Sequence, residues 1–251
     1  VQGLMSLRRS ICDWHKRTHG LSFKPEQIII GPGSKELLYL LQLVSETETY
    51  LPSPSWVSYA PQQQITGRKA RWVATDANSH FMLTAQQLEH ALLGCDHRPL
   101  LILNSPSNPV GRMLPNHELA GIAEVVKQQG GIILSDEIYG GVAFGATHIS
   151  PAHHYPEGTI ISGGLSKWCG AGGWRLGYMA VPDTLTPILQ AMCAAASETF
   201  TSVSAPIQYA AIAAYEPNEL TDDYLHHSQR VLRLILNDFQ QALARFKIHA
   251  P

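Results

Sequence analysis

A mostly parallel α/β sheet of about seven strands, flanked by helices, is the fold class this sequence predicts. Three observations carry that expectation. Short β-rich runs are separated by stretches with helical spacing along most of the chain. Several of those runs, such as Leu100-Leu101-Ile102-Leu103 and Ile132-Ile133-Leu134, are apolar without alternation, as strands covered on both faces should be. The hydrophobic set makes up 45% of the chain and the charged set 15%, enough apolar material for one large core.

The elements follow in order. Leu4, Leu7, Ile11 and Trp14 recur at helical spacing before Gly20, so the chain opens on an amphipathic helix, with Arg8, Arg9, Lys16 and Arg17 expected to face water. Residues 26–30 read as a strand. Gly31-Pro32-Gly33-Ser34 breaks it ahead of a helix carrying Leu37, Leu38, Leu40, Leu41 and Val44, with Ser34 the expected N-cap. Residues 49–51, 69–73, 100–104, 131–135, 159–162 and 176–181 read as further strands. After Thr184 the pattern turns helical, ending in a long amphipathic stretch through Leu225, Leu232, Ile235, Leu236, Phe239, Leu243 and Phe246.

Composition limits the function classes. The 251 residues lie between one and two domains by length, at roughly 150 residues per domain. Lys and Arg number 18 against 20 Asp and Glu, so no basic field favours a nucleic-acid backbone. No run approaches the roughly 18 apolar residues that span a bilayer, and the start has no signal-peptide pattern. Cys12, Cys95, Cys169 and Cys193 are too scattered for a zinc ribbon, a redox pair or a disulfide scaffold. The expectation is a soluble, cytoplasmic chain with reduced thiols and neither nucleic acid nor membrane as partner. His15 and His19 stand one helical turn apart without an intervening glutamate, and the doublets His153-His154 and His226-His227 lack convergent carboxylates or thiols. They read as solvated histidines, and no metal is assigned.

In open α/β sheets ligands sit beyond the carboxyl ends of the strands, so the loops there are the ones to read. Gly31-Pro32-Gly33-Ser34-Lys35 offers backbone N–H groups and a helix N-terminus to an anion, although it fits neither the dinucleotide fingerprint nor the nucleotide P-loop. Asn104-Ser105-Pro106-Ser107-Asn108-Pro109-Val110-Gly111 is stiffened by prolines and can aim Asn108 at a ligand oxygen, or can be a plain Asn-Pro turn. Asp136 emerges at the end of an apolar strand with Tyr139 three residues on. A carboxylate there needs a cation or hydrogen-bond donors, though a helix cap and a core phenol are the plainer readings. The glycine-rich loop 162–175 permits close backbone approach to a flat ligand and holds two cations, Lys167 and Arg175. A lysine in such a setting can be a Schiff-base nucleophile, or it can be a solvated side chain on a flexible loop.

Together these stretches resemble the class I and II aminotransferases of the fold type I pyridoxal-phosphate enzymes. The resemblance covers nearly the whole chain. It is carried by Gly33-Ser34-Lys35, Pro54-Ser55-Trp56-Val57-Ser58-Tyr59, Asn108-Pro109-Val110-Gly111, Asp136-Glu137-Ile138-Tyr139, and Ser166-Lys167 followed by Gly173-Trp174-Arg175-Leu176-Gly177-Tyr178. It implies pyridoxal 5'-phosphate as cofactor and transfer of an amino group between an amino acid and a 2-oxo acid through a Schiff base at Lys167. On the same resemblance Asp136 pairs with the ring nitrogen, Tyr139 and Asn108 hydrogen-bond the cofactor's phenolate oxygen, and Trp56 stacks on its ring. Gly33, Ser34, Lys35 and Arg175 cradle its phosphate.

The sequence also departs from the family pattern. Gly164 stands where Ser or Thr is frequent, and Val110 where Thr is common; each is expected to cost about one hydrogen bond, ~1 kcal/mol. By the resemblance, residues 1–245 form the cofactor-binding large domain with its long connecting helix, and residues 246–251 open a truncated C-terminal small domain. The expectation is therefore an excerpt that lacks the family's leading tyrosine and its carboxylate-binding arginine. A homodimer is implied for the full-length protein, with the long helix and apolar residues 191–214 suited to it. A lyase or synthase of the same fold, and a cofactor-binding domain or fragment without turnover, are the alternative readings, because the ring-facing residues do not separate them.

Overall fold

The computed structural model describes residues 1–246; residues 247–251, which hold most of the expected start of a second domain, lie outside the described residues. Its centre is one seven-stranded sheet in the order β1-β7-β6-β5-β4-β2-β3. The strands are β1 (Ile28–Gly31), β2 (Glu48–Ser53), β3 (Arg71–Ala74), β4 (Pro99–Asn104), β5 (Ile132–Asp136), β6 (Thr159–Gly164) and β7 (Gly177–Ala180). The pairs among β2, β3, β4, β5 and β6 are parallel, whereas β7 runs antiparallel to both β6 and β1. The predicted mostly parallel sheet is therefore observed, with one reversed strand.

The unbroken apolar runs have the expected cause. β4 is buried through Pro99–Leu103 and β5 throughout, because helices cover both faces. On one face Ile29, Leu51, Leu100, Ile102, Ile132, Leu134 and Ile160 pack against α2 (Ser34–Val44) and α6 (Thr186–Glu198). The other face is covered in two parts. Leu101, Leu103 and Ile133 pack with α4 (Ala85–Ala91) and α5 (Asn116–Gln128), while Ile28, Ile30 and Ile161 pack with α1 (Met5–His19) and α7 (Ala205–Tyr215). The remaining helices are the short α3 (Tyr59–Ile65) and α8 (Glu219–Ala244), the predicted long amphipathic element. None of the residues of α8 is buried, and Leu232, Ile235 and Phe239 of its apolar stripe are exposed.

Three expectations change. Arg8 does not face water: it is 9% exposed, and its guanidinium donates to the Pro25 carbonyl at 3.0 Å. His15 is not solvated either, being buried with its Nε2 2.7 Å from the Tyr178 hydroxyl. One geometry explains both, since positions 8, 12 and 15 flank the apolar stripe 4, 7, 11 and 14 on a helix and turn inward beside it, Arg8 towards Pro25 and His15 towards Phe23 and Tyr178. Ser34 is the first helical residue rather than the cap. Gly33 takes the N-cap position with φ +88°, a backbone conformation that favours glycine.

Burial, with His19 adding repulsion, lowers the pKa of His15 from its ordinary 6.5 to about 3, against the pull of Glu137. Unfolded, the ring takes up a proton near pH 6.5; folded, it does so only near pH 3. Its contribution to stability is thus intact above the unfolded value, falls as the pH drops below it, and stops falling below the folded value. The slope reaches about 1.4 kcal/mol per pH unit for one proton. Urea unfolding of His15→Gln between pH 6 and 4 should show a shallower loss of stability than the parent chain, and equal slopes would refute the neutral buried ring.

Candidate active site

The carboxyl ends of β1, β2, β4, β5 and β6, together with the start of the reversed β7, meet at one edge of the sheet. Asn104 is in register with Asp136, Asp136 with Ser162, and Gly164 and Gly31 both with Gly177. A cavity of about 360 Å³ opens there, lined by Ser34, Lys35, Trp56, Asn108, Asp136, Tyr139, Lys167 and Arg175 among others. Eight of the nine residues singled out from the sequence thus share one cavity wall, and Gly33 adjoins Ser34.

Asp136 lies at its floor. The two-residue period of β5 points it to the same face as Ile132 and Leu134, and leaves it 3% exposed. Its Oδ2 accepts from the Tyr59 hydroxyl at 2.7 Å, and its Oδ1 has a longer contact, 3.4 Å, with the Ile138 N–H. Burial dominates its acidity and pushes the carboxyl up to about 6, with the Tyr59 and Ile138 hydrogen bonds acting the other way. Asn104 bridges the two neighbouring loops: its amide donates to the Asp136 carbonyl at 2.8 Å, and its Oδ1 accepts from the Asn108 N–H at 2.7 Å.

Beside this floor, Asn108 Nδ2 and the Tyr139 hydroxyl lie 3.4 Å apart, and the Lys167 ammonium sits 5.3 Å from the centre of the Tyr139 ring. Trp56 meets Tyr59 edge to face at 5.3 Å, while Lys35 Nζ lies 5.0 Å from the Trp56 ring centre. Neither Lys167, Lys35 nor Arg175 has an acidic partner among the described residues.

The anion end is built by close backbone approach. Arg175 adopts a left-handed conformation at φ 55°, and its guanidinium donates to the carbonyls of Gly172 and Pro32 at 2.7 and 3.3 Å. A Cβ on Gly33 would stand 2.2 Å from Arg175 Nη2, and one on Gly177 would stand 2.2 Å from the Ser34 nitrogen. Gly164 has a local reason as well: a side chain there would meet the Leu176 carbonyl at 2.8 Å and Gly177 Cα at 2.9 Å.

These features fit pyridoxal phosphate. A buried carboxylate with one weakly satisfied oxygen suits a cationic ring nitrogen, and a glycine-lined helix start beside an arginine suits a phosphate dianion. The cavity also falls in the size range of small-molecule sites. Sequence reading missed Tyr59 and Asn104 as members of this site. Tyr59 has in the sequence only the signal of an aromatic near Trp56, and the structure places it in the core as well as at the cavity. Asn104 closed an apolar strand without a motif of its own.

Known proteins match this chain along almost its entire length. The profile of the family described as aminotransferase class I and II matches residues 1–248. An aspartate aminotransferase of Bacillus subtilis (strain 168) is 37% identical over 225 residues, 86% of this chain and 56% of that protein. One from Geobacillus stearothermophilus is 35% identical and is matched over 95% of this chain and 62% of that protein. The solved Thermus thermophilus aspartate aminotransferase with maleate superposes with a TM-score of 0.89 at 28% identity, covering 97% of this chain and 64% of that one. The chain therefore spans less than two thirds of the length of these relatives. By its profile match, its identities and its fold, this chain belongs to the class I and II aminotransferases.

Proposed function

We propose that residues 1–245 are the pyridoxal-phosphate-binding large domain of an aminotransferase that moves an amino group between an amino acid and a 2-oxo acid. The observation that carries this reading is the shared cavity of Lys167, Asp136, Tyr139, Asn108, Trp56 and Arg175. Bound there, the cofactor supplies an aldehyde that condenses with amines and a protonated ring that takes up electron density. The rest of the chemistry falls to the chain's own side chains.

Lys167 is the amine that holds the aldehyde carbon. Its free amine would then be the group placed to take up and return a proton at the substrate α-carbon. Asp136 keeps the proton on the ring nitrogen: its carboxyl, raised to about 6 by burial, remains ionised at neutral pH and gains a positive partner there. Tyr139 and Asn108, whose hydroxyl and amide lie 3.4 Å apart, would hold the phenolate oxygen, and Trp56 would flank the ring. Arg175 and the backbone N–H groups at Gly33, Ser34 and Lys35 hold the phosphate, where a guanidinium can bond two oxygens at once. Aspartate is the first donor to test, since the relatives named above are aspartate aminotransferases.

A homodimer and a cytoplasmic location belong to the same proposal. The apolar stripe on α8 supports an interface, and four free cysteines support a reducing compartment. No helix of the described residues is long and apolar enough to cross a membrane.

Pyridoxal phosphate added to the chain should produce a visible absorbance band that is missing in Lys167→Ala; a band of equal strength in that variant sinks the assignment. Gly177→Ala, which presses a methyl group onto the Ser34 nitrogen, should weaken pyridoxal phosphate binding by about tenfold or more, corresponding to about 1.4 kcal/mol. Binding of pyridoxal, which has no phosphate, should change less, and equal losses for both would remove the phosphate cradle from this edge. A screen of amino acid donors on the loaded chain, following the band and the released 2-oxo acid, tests turnover. Bleaching with aspartate is expected, and no response to any donor would favour a binding domain without catalysis.

A further inference from the structure

The floor of the cavity contains a buried phenol that the proposed chemistry leaves unused. Tyr59 is 1% exposed, and its hydroxyl donates to Asp136 Oδ2 at 2.7 Å. Burial first, then the nearby Asp136 charge and hydrogen bond, raise its pKa well above the ordinary tyrosine value, so it retains its proton and serves Asp136 only as a donor. The same ring meets Trp56 edge to face, with centres 5.3 Å apart at 84°. Tyr59 therefore touches both the carboxylate at the cavity floor and the indole in its wall. It can do so because it opens α3 three residues after Trp56, and its backbone N–H returns to the Trp56 carbonyl at 3.3 Å.

The other groups acting on Asp136 do not cancel this contact. Glu137, next in sequence, raises the Asp136 pKa through its charge, and Lys167 across the cavity lowers it. Tyr139 stands near Tyr59, and its hydroxyl meets Asn108 Nδ2 at 3.4 Å. Of the two carboxylate oxygens, Oδ2 has the short bond from Tyr59, while Oδ1 has only the 3.4 Å contact to Ile138. A hydrogen bond to the ionised form favours that form, and a buried one is screened little by solvent.

We propose that Tyr59 is a positioning residue of the cofactor site: its hydroxyl holds Asp136 ionised with Oδ2 fixed, and its ring braces Trp56. One side chain then sets both the partner of the cofactor's ring nitrogen and the wall against the ring's face. This rests on the reading of Asp136 as the ring-nitrogen partner, so the test begins without cofactor.

In the chain free of pyridoxal phosphate, the infrared carbonyl band of the protonated acid should grow in as the pH falls, and its absence in Asp136→Asn assigns it. Tyr59→Phe, which keeps the ring and loses the donor, should move the midpoint of that band upward by about one to two pH units. An unmoved midpoint in a folded Tyr59→Phe chain overturns the proposal. Should that variant fail to fold, the parent chain still decides. Its tyrosine C–O mode should shift with the same midpoint as the Asp136 band and lose that shift in Asp136→Asn, and a tyrosine mode indifferent to the midpoint overturns the proposal. Pyridoxal phosphate uptake by the parent chain is read separately by the visible band. A shifted midpoint without any uptake would discard the cofactor reading and leave Tyr59's hold on Asp136 standing.

Discussion

Much of the site depends on one constraint, a carboxylate buried at the end of the central strand β5. Asp136 is 3% exposed, and an ionised acid there is costly unless donors or a cation meet it. The neighbouring elements are arranged around that requirement. α3 supplies the Tyr59 hydroxyl, the turn after β5 supplies the Ile138 N–H, and Asn104 at the end of β4 ties down the Asp136 backbone. The remaining deficit is positive charge, and the Lys167 ammonium is the cation whose influence reaches Asp136 across the cavity. A ring nitrogen that binds a proton would complete the set, so a cationic heterocycle is better matched to this floor than a neutral ligand.

The reversed strand β7 solves a second problem. Lying between β1 and β6, it brings Gly177 against the Gly33–Ser34 turn on one side and Gly164 on the other. Three glycines meeting at that edge leave no side chain between the backbone N–H groups of α2 and the guanidinium of Arg175. The left-handed turn at Arg175 is what aims the chain into β7 and the side chain back towards Pro32. Gly164 follows from the same crowding. A serine or threonine there would need the Leu176 carbonyl to move, so the lost hydroxyl is the cost of a tight β6–β7 contact rather than a gap in the anion site.

Much of this was legible in the sequence, for reasons specific to the residues. Inner strands such as β4 and β5 were readable because two-sided burial writes unbroken apolar runs, and the loops were readable because glycines and prolines mark where backbone conformation is constrained. Side chains whose partners come from distant segments were not. Arg8 and His15 look like solvent-facing residues on α1, and only segments distant in sequence bury them, Pro25 meeting Arg8 and Phe23 and Tyr178 meeting His15. Ser34 has the chemistry of a cap, yet the positive φ at Gly33 takes the position first. Tyr59 lies 77 positions from Asp136, and no local pattern announces a bond over that separation.

The pair Asp136-Glu137 shows how a strand end divides two identical charges between two tasks. Successive residues leave β5 towards opposite faces. Asp136 turns to the cavity, where burial outweighs its two hydrogen bonds and holds its pKa up at about 6. Glu137 turns to the other side, where burial also acts to raise it but is overcome by His148 at 3.0 Å and by hydroxyl donors from Ser135 and Ser150, leaving it at about 2. The second acid finds its partners within the protein and anchors the segment that carries Tyr139. The first is left short of positive charge, and that deficit is what makes the carboxyl end of β5 a site rather than a piece of core.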